Sequence, residues 1–156
     1  MKAKKLLSIL LIITLLITVF PQLALAGKGD VVSLGADLTQ EQRQEILKEF
    51  GVTEDEVNII EVSIQDVKEH LVDATSKEIG TKAYSSAYVK LMPNGKGLFV
   101  DIHNVSLVTE EMYANAMATA GVKDAEVKVA APFKVTGTTA LTGIMMAFEE
   151  ATGKKL

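Results

Sequence analysis

Ser86, Asp101 and His103 are the residues of this sequence that could together do acyl-transfer chemistry, with Tyr88 and Lys90 beside them. A serine becomes a nucleophile when its hydroxyl sits on one imidazole nitrogen and a carboxylate holds the other. The segments that carry these residues, 84–92 and 97–105, alternate apolar and polar positions and flank Pro93-Asn94-Gly95-Lys96. Asn-Gly between alternating segments is a strong hairpin signal. With Asn94 and Gly95 as the two loop residues, Ser86 falls opposite His103, Tyr88 opposite Asp101 and Lys90 opposite Phe99, at Cβ separations of about 4.5–5.5 Å. The other side pairs Ala87 with Ile102, Val89 with Val100 and Leu91 with Leu98, so burial would fix that register. A triad also needs an oxyanion hole and a water-poor cleft, and a flat β-face supplies neither. Ser86, Asp101 and His103 are therefore weak catalytic candidates, expected to be ordinary residues of a solvated face. Tyr84 and Tyr88, at i and i+4 beside Lys90, are candidates for a surface that binds a glycan or peptide.

Other chemistries find less to work with. The chain has no cysteine, which excludes thiolate metal sites, disulfides and a thiol nucleophile. Its two histidines, His70 and His103, lie on different elements without H-x-x-x-H spacing, and Asp73, three residues after His70, would make at most one edge of a site. Gly137-Thr138-Thr139 opens a helix whose amides could hold an anion, but it lacks the lysine and glycine spacing of a P-loop, so a threonine cap explains it better. No cofactor and no metal is expected.

The elements that must position these residues follow from periodicity and caps. Thr39 with Gln42 caps a helix over 40–50, striped by Ile46, Leu47 and Phe50 and ended by Gly51. Residues 57–62 are β-branched and read as a strand. Ser63 caps a helix with Ile64, Val67 and Leu71 on one face, and 74–82 is a polar connection. After the hairpin, Thr109 opens a helix through Met112, Tyr113, Ala116 and Ala120, closed by Gly121. Residues 125–131 form a strand, Pro132 and Gly137 bound a linker, and a last helix buries Leu141, Ile144, Met145 and Phe148. The order is that of an α+β protein, a two-layer α/β sandwich with a ferredoxin-like βαββαβ core (strands about 57–62, 84–92, 97–105 and 125–131) and an extra helix before and after. The polar residues from Tyr84 to His103 would then line the face without helices.

The first 26 residues read as an address. Lys2, Lys4 and Lys5 precede an apolar run over 6–20, and Ala24-Leu25-Ala26 offers a cleavage site before Gly27, the layout of a secretory signal peptide. The apolar run is shorter than the ~20 residues that span a bilayer. The expected organisation is a signal peptide over 1–26, a lead-in over 27–38 and one α/β domain over 39–156. Without the leader, 13 basic residues face 20 acidic ones, a net charge of −7. That balance speaks against nucleic acid or an anionic membrane surface as partner.

Several runs carry a family resemblance: Gly35-Ala36-Asp37-Leu38-Thr39, Ile79-Gly80-Thr81-Lys82-Ala83 continuing to Val89, Thr109-Glu110-Glu111-Met112-Tyr113-Ala114-Asn115-Ala116 and Ala120-Gly121-Val122-Lys123-Asp124-Ala125. They continue in Val135-Thr136-Gly137-Thr138-Thr139-Ala140-Leu141-Thr142-Gly143 and Glu149-Glu150-Ala151-Thr152-Gly153-Lys154-Lys155. Over 35–156 the chain resembles the YpuA-like family of predicted secreted proteins from Gram-positive bacteria, a domain of unknown function. The resemblance implies export and an envelope or extracellular setting, and brings no catalytic residues. Members usually continue into a largely helical C-terminal half, which this chain would lack. The function expected is a non-catalytic envelope or extracellular binding or interaction domain with an unknown ligand there. The alternative is an envelope hydrolase working from Ser86, Asp101 and His103.

Overall fold

The structure, a computed structural model, describes residues 29–152; the expected signal peptide and the helix end at Gly153 lie outside the described residues. The elements are β1 (Val31–Gly35), α1 (Gln40–Phe50), β2 (Asn58–Val62), α2 (Ile64–His70), α3 (Ser76–Ile79), β3 (Ser86–Leu91), β4 (Leu98–Val105), α4 (Glu110–Thr119), β5 (Ala125–Val135) and α5 (Thr138–Thr152). Capping boxes open three of the helices: Thr39 with Gln42, Ser63 with Asp66, and Thr75 with Glu78. The last of these sets a one-turn helix, α3, inside the expected polar connection. The expected lead-in contains β1, and the expected linker at Pro132 is the continuation of β5.

The α+β class and the strand positions are as expected, but the strand order is β2-β1-β3-β5-β4. Strands β1 and β2 are parallel, β3 is antiparallel to both β1 and β5, and β4 is parallel to β5. The expected hairpin is therefore corrected: β5 lies between β3 and β4, an order different from the ferredoxin-like one. The turn shows why. A two-residue type I′ turn needs positive φ at both central residues. Gly95 has φ 86°, but Asn104 is the one non-glycine with positive φ among the described residues, so Asn94 does not meet the requirement. Instead Asp124 ties both ends of the loop to the start of β5. Its carbonyl accepts from Met92 N at 3.0 Å, and its Oδ1 accepts from Gly97 N at 2.7 Å.

The interposed strand keeps the expected rows. Ala87, Val129 and Ile102 align, as do Val89, Val127 and Val100, and Leu91, Ala125 and Leu98. On this face α4 and α5 bury Tyr113, Met117, Ala140, Ile144 and Phe148 against Ala87, Val89, Val127 and Val129. A smaller cluster joins Val62, Val67 and Ile79, with Met146 against it. The opposite face is not bare. Helix α1 packs Ile46, Leu47 and Phe50 there against Val32, Leu34, Tyr88 and Ala130.

Candidate functional site

The polar face is shaped by how α1 crosses it. At one end Arg43 Nη2 meets Glu61 Oε2 on β2 at 3.3 Å; at the other, Glu49 meets His103 Nδ1 on β4. Between them Phe50 covers Tyr88, their rings 6.2 Å apart. Lys128 from β5 donates to the last helical carbonyl, Phe50 O, at 3.1 Å, and its ammonium stands 5.6 Å from the Tyr88 ring centre. Tyr88 is thus only 5% exposed, and its hydroxyl donates to Asp30 Oδ2 at 2.6 Å. Burial, then the Asp30 hydrogen bond and charge, raise the phenol above its usual range, so Tyr88 stays neutral.

The expected candidates divide accordingly. Ser86 and His103 do not face each other but flank Ala130, about 10 Å apart at two strand spacings. Ser86 is fully buried, and its Oγ accepts from Gly35 N at 3.3 Å. His103 is held by Glu49, and Asp101 lies beside Lys128 in the sheet register. The structure does not assemble these three. Tyr84 packs edge-on to Phe133 at 4.9 Å, and Tyr88 is covered, so the two tyrosines form no open platform. Lys90 remains exposed.

Beyond Phe50 the face stays open. Met92, Phe99, Val100, Asp101, Glu126, Val127 and Lys128 line a concavity of about 310 Å³. Phe99 is 59% exposed there, Lys128 Nζ is 3.8 Å from Glu126 Oε1, and the register puts Lys90, Glu126 and Phe99 in one row. Neither Phe99 nor Glu126 is among the candidates that the sequence singles out. The available signal was their row with Lys90, which β5 completes. Two other hollows, about 350 Å³ behind α1 and about 420 Å³ beside α3, are lined without an exposed aromatic.

Elsewhere, titratable groups serve the fold. Hydrogen bonds from Lys82 and Ala83 N lower Asp37, and Thr53, Thr75 and Thr109 caps lower Glu56, Glu78 and Glu111. At Asp66 burial pushes upward, but the Ser63 hydroxyl and amide outweigh it. His70 is bracketed by Asp66 O at 2.9 Å and Glu149 Oε2 at 3.4 Å, and no group of three metal-capable side chains occurs among the described residues. The N-terminus of α5 is closed by the protein itself: Ala140 N donates to Ser85 Oγ, and Thr138 Oγ1 to the carbonyls of Glu78 and Ile79.

These features define an α+β protein with a mixed five-stranded sheet and one polar face half covered by a helix. The chain belongs to the family described as "Protein of unknown function (DUF1002)", whose model matches residues 34–156. It is 46% identical over 129 residues to the protein named "Uncharacterized protein YpuA" of Bacillus subtilis (strain 168), a match covering 81% of this chain and 44% of that one. The chain therefore spans less than half the length of that curated relative. No solved structure matches it. Among the described residues no helix is long and apolar enough to cross a membrane.

Proposed function

We propose that this chain is an exported domain of the bacterial envelope or extracellular space that binds a ligand without transforming it, through the open end of its polar sheet face. The concavity around Phe99 carries the reading. An exposed ring, the Lys128 ammonium and two carboxylates (Asp101 and Glu126) line one shallow surface, with Lys90 exposed in the same row as Glu126 and Phe99. Such a mixture of an apolar anchor and a few polar groups suits recognition. Among the described residues, the carboxyl groups with clear shifts are held down by helix-terminal and cap hydrogen bonds or by Lys82, whereas a general acid needs a raised value. Export rests on the Lys2–Ala26 leader pattern.

Retention of the full chain on insoluble cell-wall material tests the reading, with the Phe99→Ala/Lys90→Ala double variant beside it. Wild-type retention that the double variant loses at unchanged fold supports the site. Equal retention of both refutes the site, and no retention of either refutes an envelope ligand of that kind.

A further inference from the structure

Strand β4 lies at the edge of the sheet, with no strand beyond it among the described residues. Gly97, just before it, shows which way its amides turn. Gly97 N donates to Asp124 Oδ1 at 2.7 Å and Gly97 O accepts from Ala125 N at 3.1 Å, both on the β5 side. Successive residues of an extended strand direct their amides to opposite sides. Phe99, Asp101 and His103 therefore turn theirs toward β5, and Leu98, Val100 and Ile102 present N–H and C=O outward. Such an edge templates another strand unless charged side chains, proline or a bulge blunt it. From Leu98 to His103 there is no lysine or proline, Asp101 is the single carboxylate, and the irregularity at Asn104, with φ 60°, comes after.

We propose that this chain dimerises by antiparallel pairing of β4 with β4 of a second copy across a two-fold axis. A two-fold interface must be self-complementary, and charge and geometry select its register. Centring it on Asp101 sets two carboxylates opposite each other in the closer kind of pair, at about 4.5 Å between Cα atoms. Centring it on Ile102 leaves Leu98 without an opposite strand residue and uses the distorted Asn104. Centring it on Val100 pairs Val100 with its own copy and Leu98 with Ile102, so all three outward-facing residues of each chain bond. Phe99 then lies beside Asp101 of the partner subunit, with no like charges opposed. On the other face Leu98, Val100 and Ile102, already packed at the rim of the main core, extend that core across the axis.

The cysteine-free chain makes the register measurable, because single cysteines report it. In the full chain under mild oxidation, Val100→Cys, Asp101→Cys and Ile102→Cys are compared with Gln65→Cys, an exposed position on α2. Centred on Val100, the two Val100 Cα atoms stand about 5.5 Å apart, within disulfide range, whereas the Asp101 and Ile102 pairs lie beyond the ~7 Å limit. Covalent dimer from Val100→Cys should exceed that from each of the others by about tenfold or more, since paired strands raise the local thiol concentration. Preference for Asp101→Cys or Ile102→Cys, or no excess over Gln65→Cys, overturns the proposal. Val100→Pro removes one outward N–H and leaves the β5 ladder alone, which an edge strand tolerates. The folded variant should sediment as a monomer; a folded variant that still dimerises overturns the proposal. If Val100→Pro does not fold, the cross-linking decides.

Discussion

Substituting Gly143 by alanine sets two effects of known sign against each other. Gly143 lies inside α5, where alanine favours the helix over glycine by about 1 kcal/mol. The helix crosses β1 at this point so closely that a Cβ on residue 143 would fall well inside van der Waals contact of Ser33 Cβ and Oγ, and 3.2 Å from Val62 Cγ2. Ser33 cannot swing away at no cost. Its Oγ accepts from Ala87 N at 3.2 Å, and β1 is held between β2 and β3. Overpacking of this kind costs about 1–3 kcal/mol, so the net result should be a loss of up to about 2 kcal/mol after the helix gain. Ser33→Ala would leave the offending Cβ in place, whereas Ser33→Gly removes both atoms. In the Ser33→Gly background, Gly143→Ala should therefore be neutral or stabilising by up to about 1 kcal/mol. Urea unfolding of the four members of the cycle at pH 7, with m compared, reads this directly. A Gly143→Ala chain more stable than wild type by the full helix gain, or the same change in both backgrounds, would refute contact at Ser33 as the cause.

Three further outcomes follow from buried or paired groups. Thr142 Oγ1 is fully buried without a hydrogen-bond partner, so Thr142→Val should raise stability by about 1 kcal/mol; a lower urea midpoint would contradict this. Tyr113, buried beneath α5, donates to Gly137 O at 2.9 Å, and Tyr113→Phe should cost about 0.5–1.5 kcal/mol with little change in volume, read from the same curves. The Asp37 carboxylate, bonded to Lys82 Nζ at 2.7 Å and Ala83 N at 2.8 Å, has a lowered pKa, so its contribution is present at neutral pH. That contribution is lost as pH falls from the unfolded carboxyl's value, about 4, through the lower folded one. Asp37→Asn should therefore be less stable than wild type at pH 7, and the gap should narrow on acidification; a constant gap would exclude the ionised carboxylate as its source.

Local signals in this chain were stronger than pairing signals. The α1 limits, the Thr39 and Ser63 caps and the alternation of β3, β4 and β5 depend on residues within one turn or one strand, and the structure has them where the sequence puts them. Which strand lies beside which depends on contacts far apart in sequence. Alternation fixes the face of a residue but not its neighbour. Val89 and Val100 share a row whether they touch or have Val127 between them, so the apolar pattern could not separate a hairpin from an inserted β5. The deciding residue was Asp124, whose side chain and carbonyl hold both ends of the 93–96 loop and whose identity carries no pairing signal by itself. Strand β1 was hidden for a related reason: five residues, Val31 to Gly35, are too few to show alternation against a lead-in.

The candidate site depends on that hidden strand. Val32 and Leu34 supply the apolar floor for Ile46, Leu47 and Phe50, and so place α1 on the face that the sequence assigned to solvent. Once α1 is there, geometry dictates how much stays open. A helix is about 10–12 Å wide with its side chains, and β3, six residues long, runs about 20 Å. One helix therefore covers roughly half the length of the strands. Its two ion pairs, Arg43 with Glu61 and Glu49 with His103, fix which half, from one edge strand to the other. Ser86 and Tyr88 fall beneath α1 and become structural, while Lys90, Phe99, Asp101 and Glu126 fall beyond it. The same alternating face thus divides into a buried end and an exposed end at Lys128, whose stem lies along the sheet while its ammonium caps α1. The polar row that α1 leaves open is that of Lys90, Glu126 and Phe99, two residues along each strand from the row of Tyr88 and four from that of Ser86.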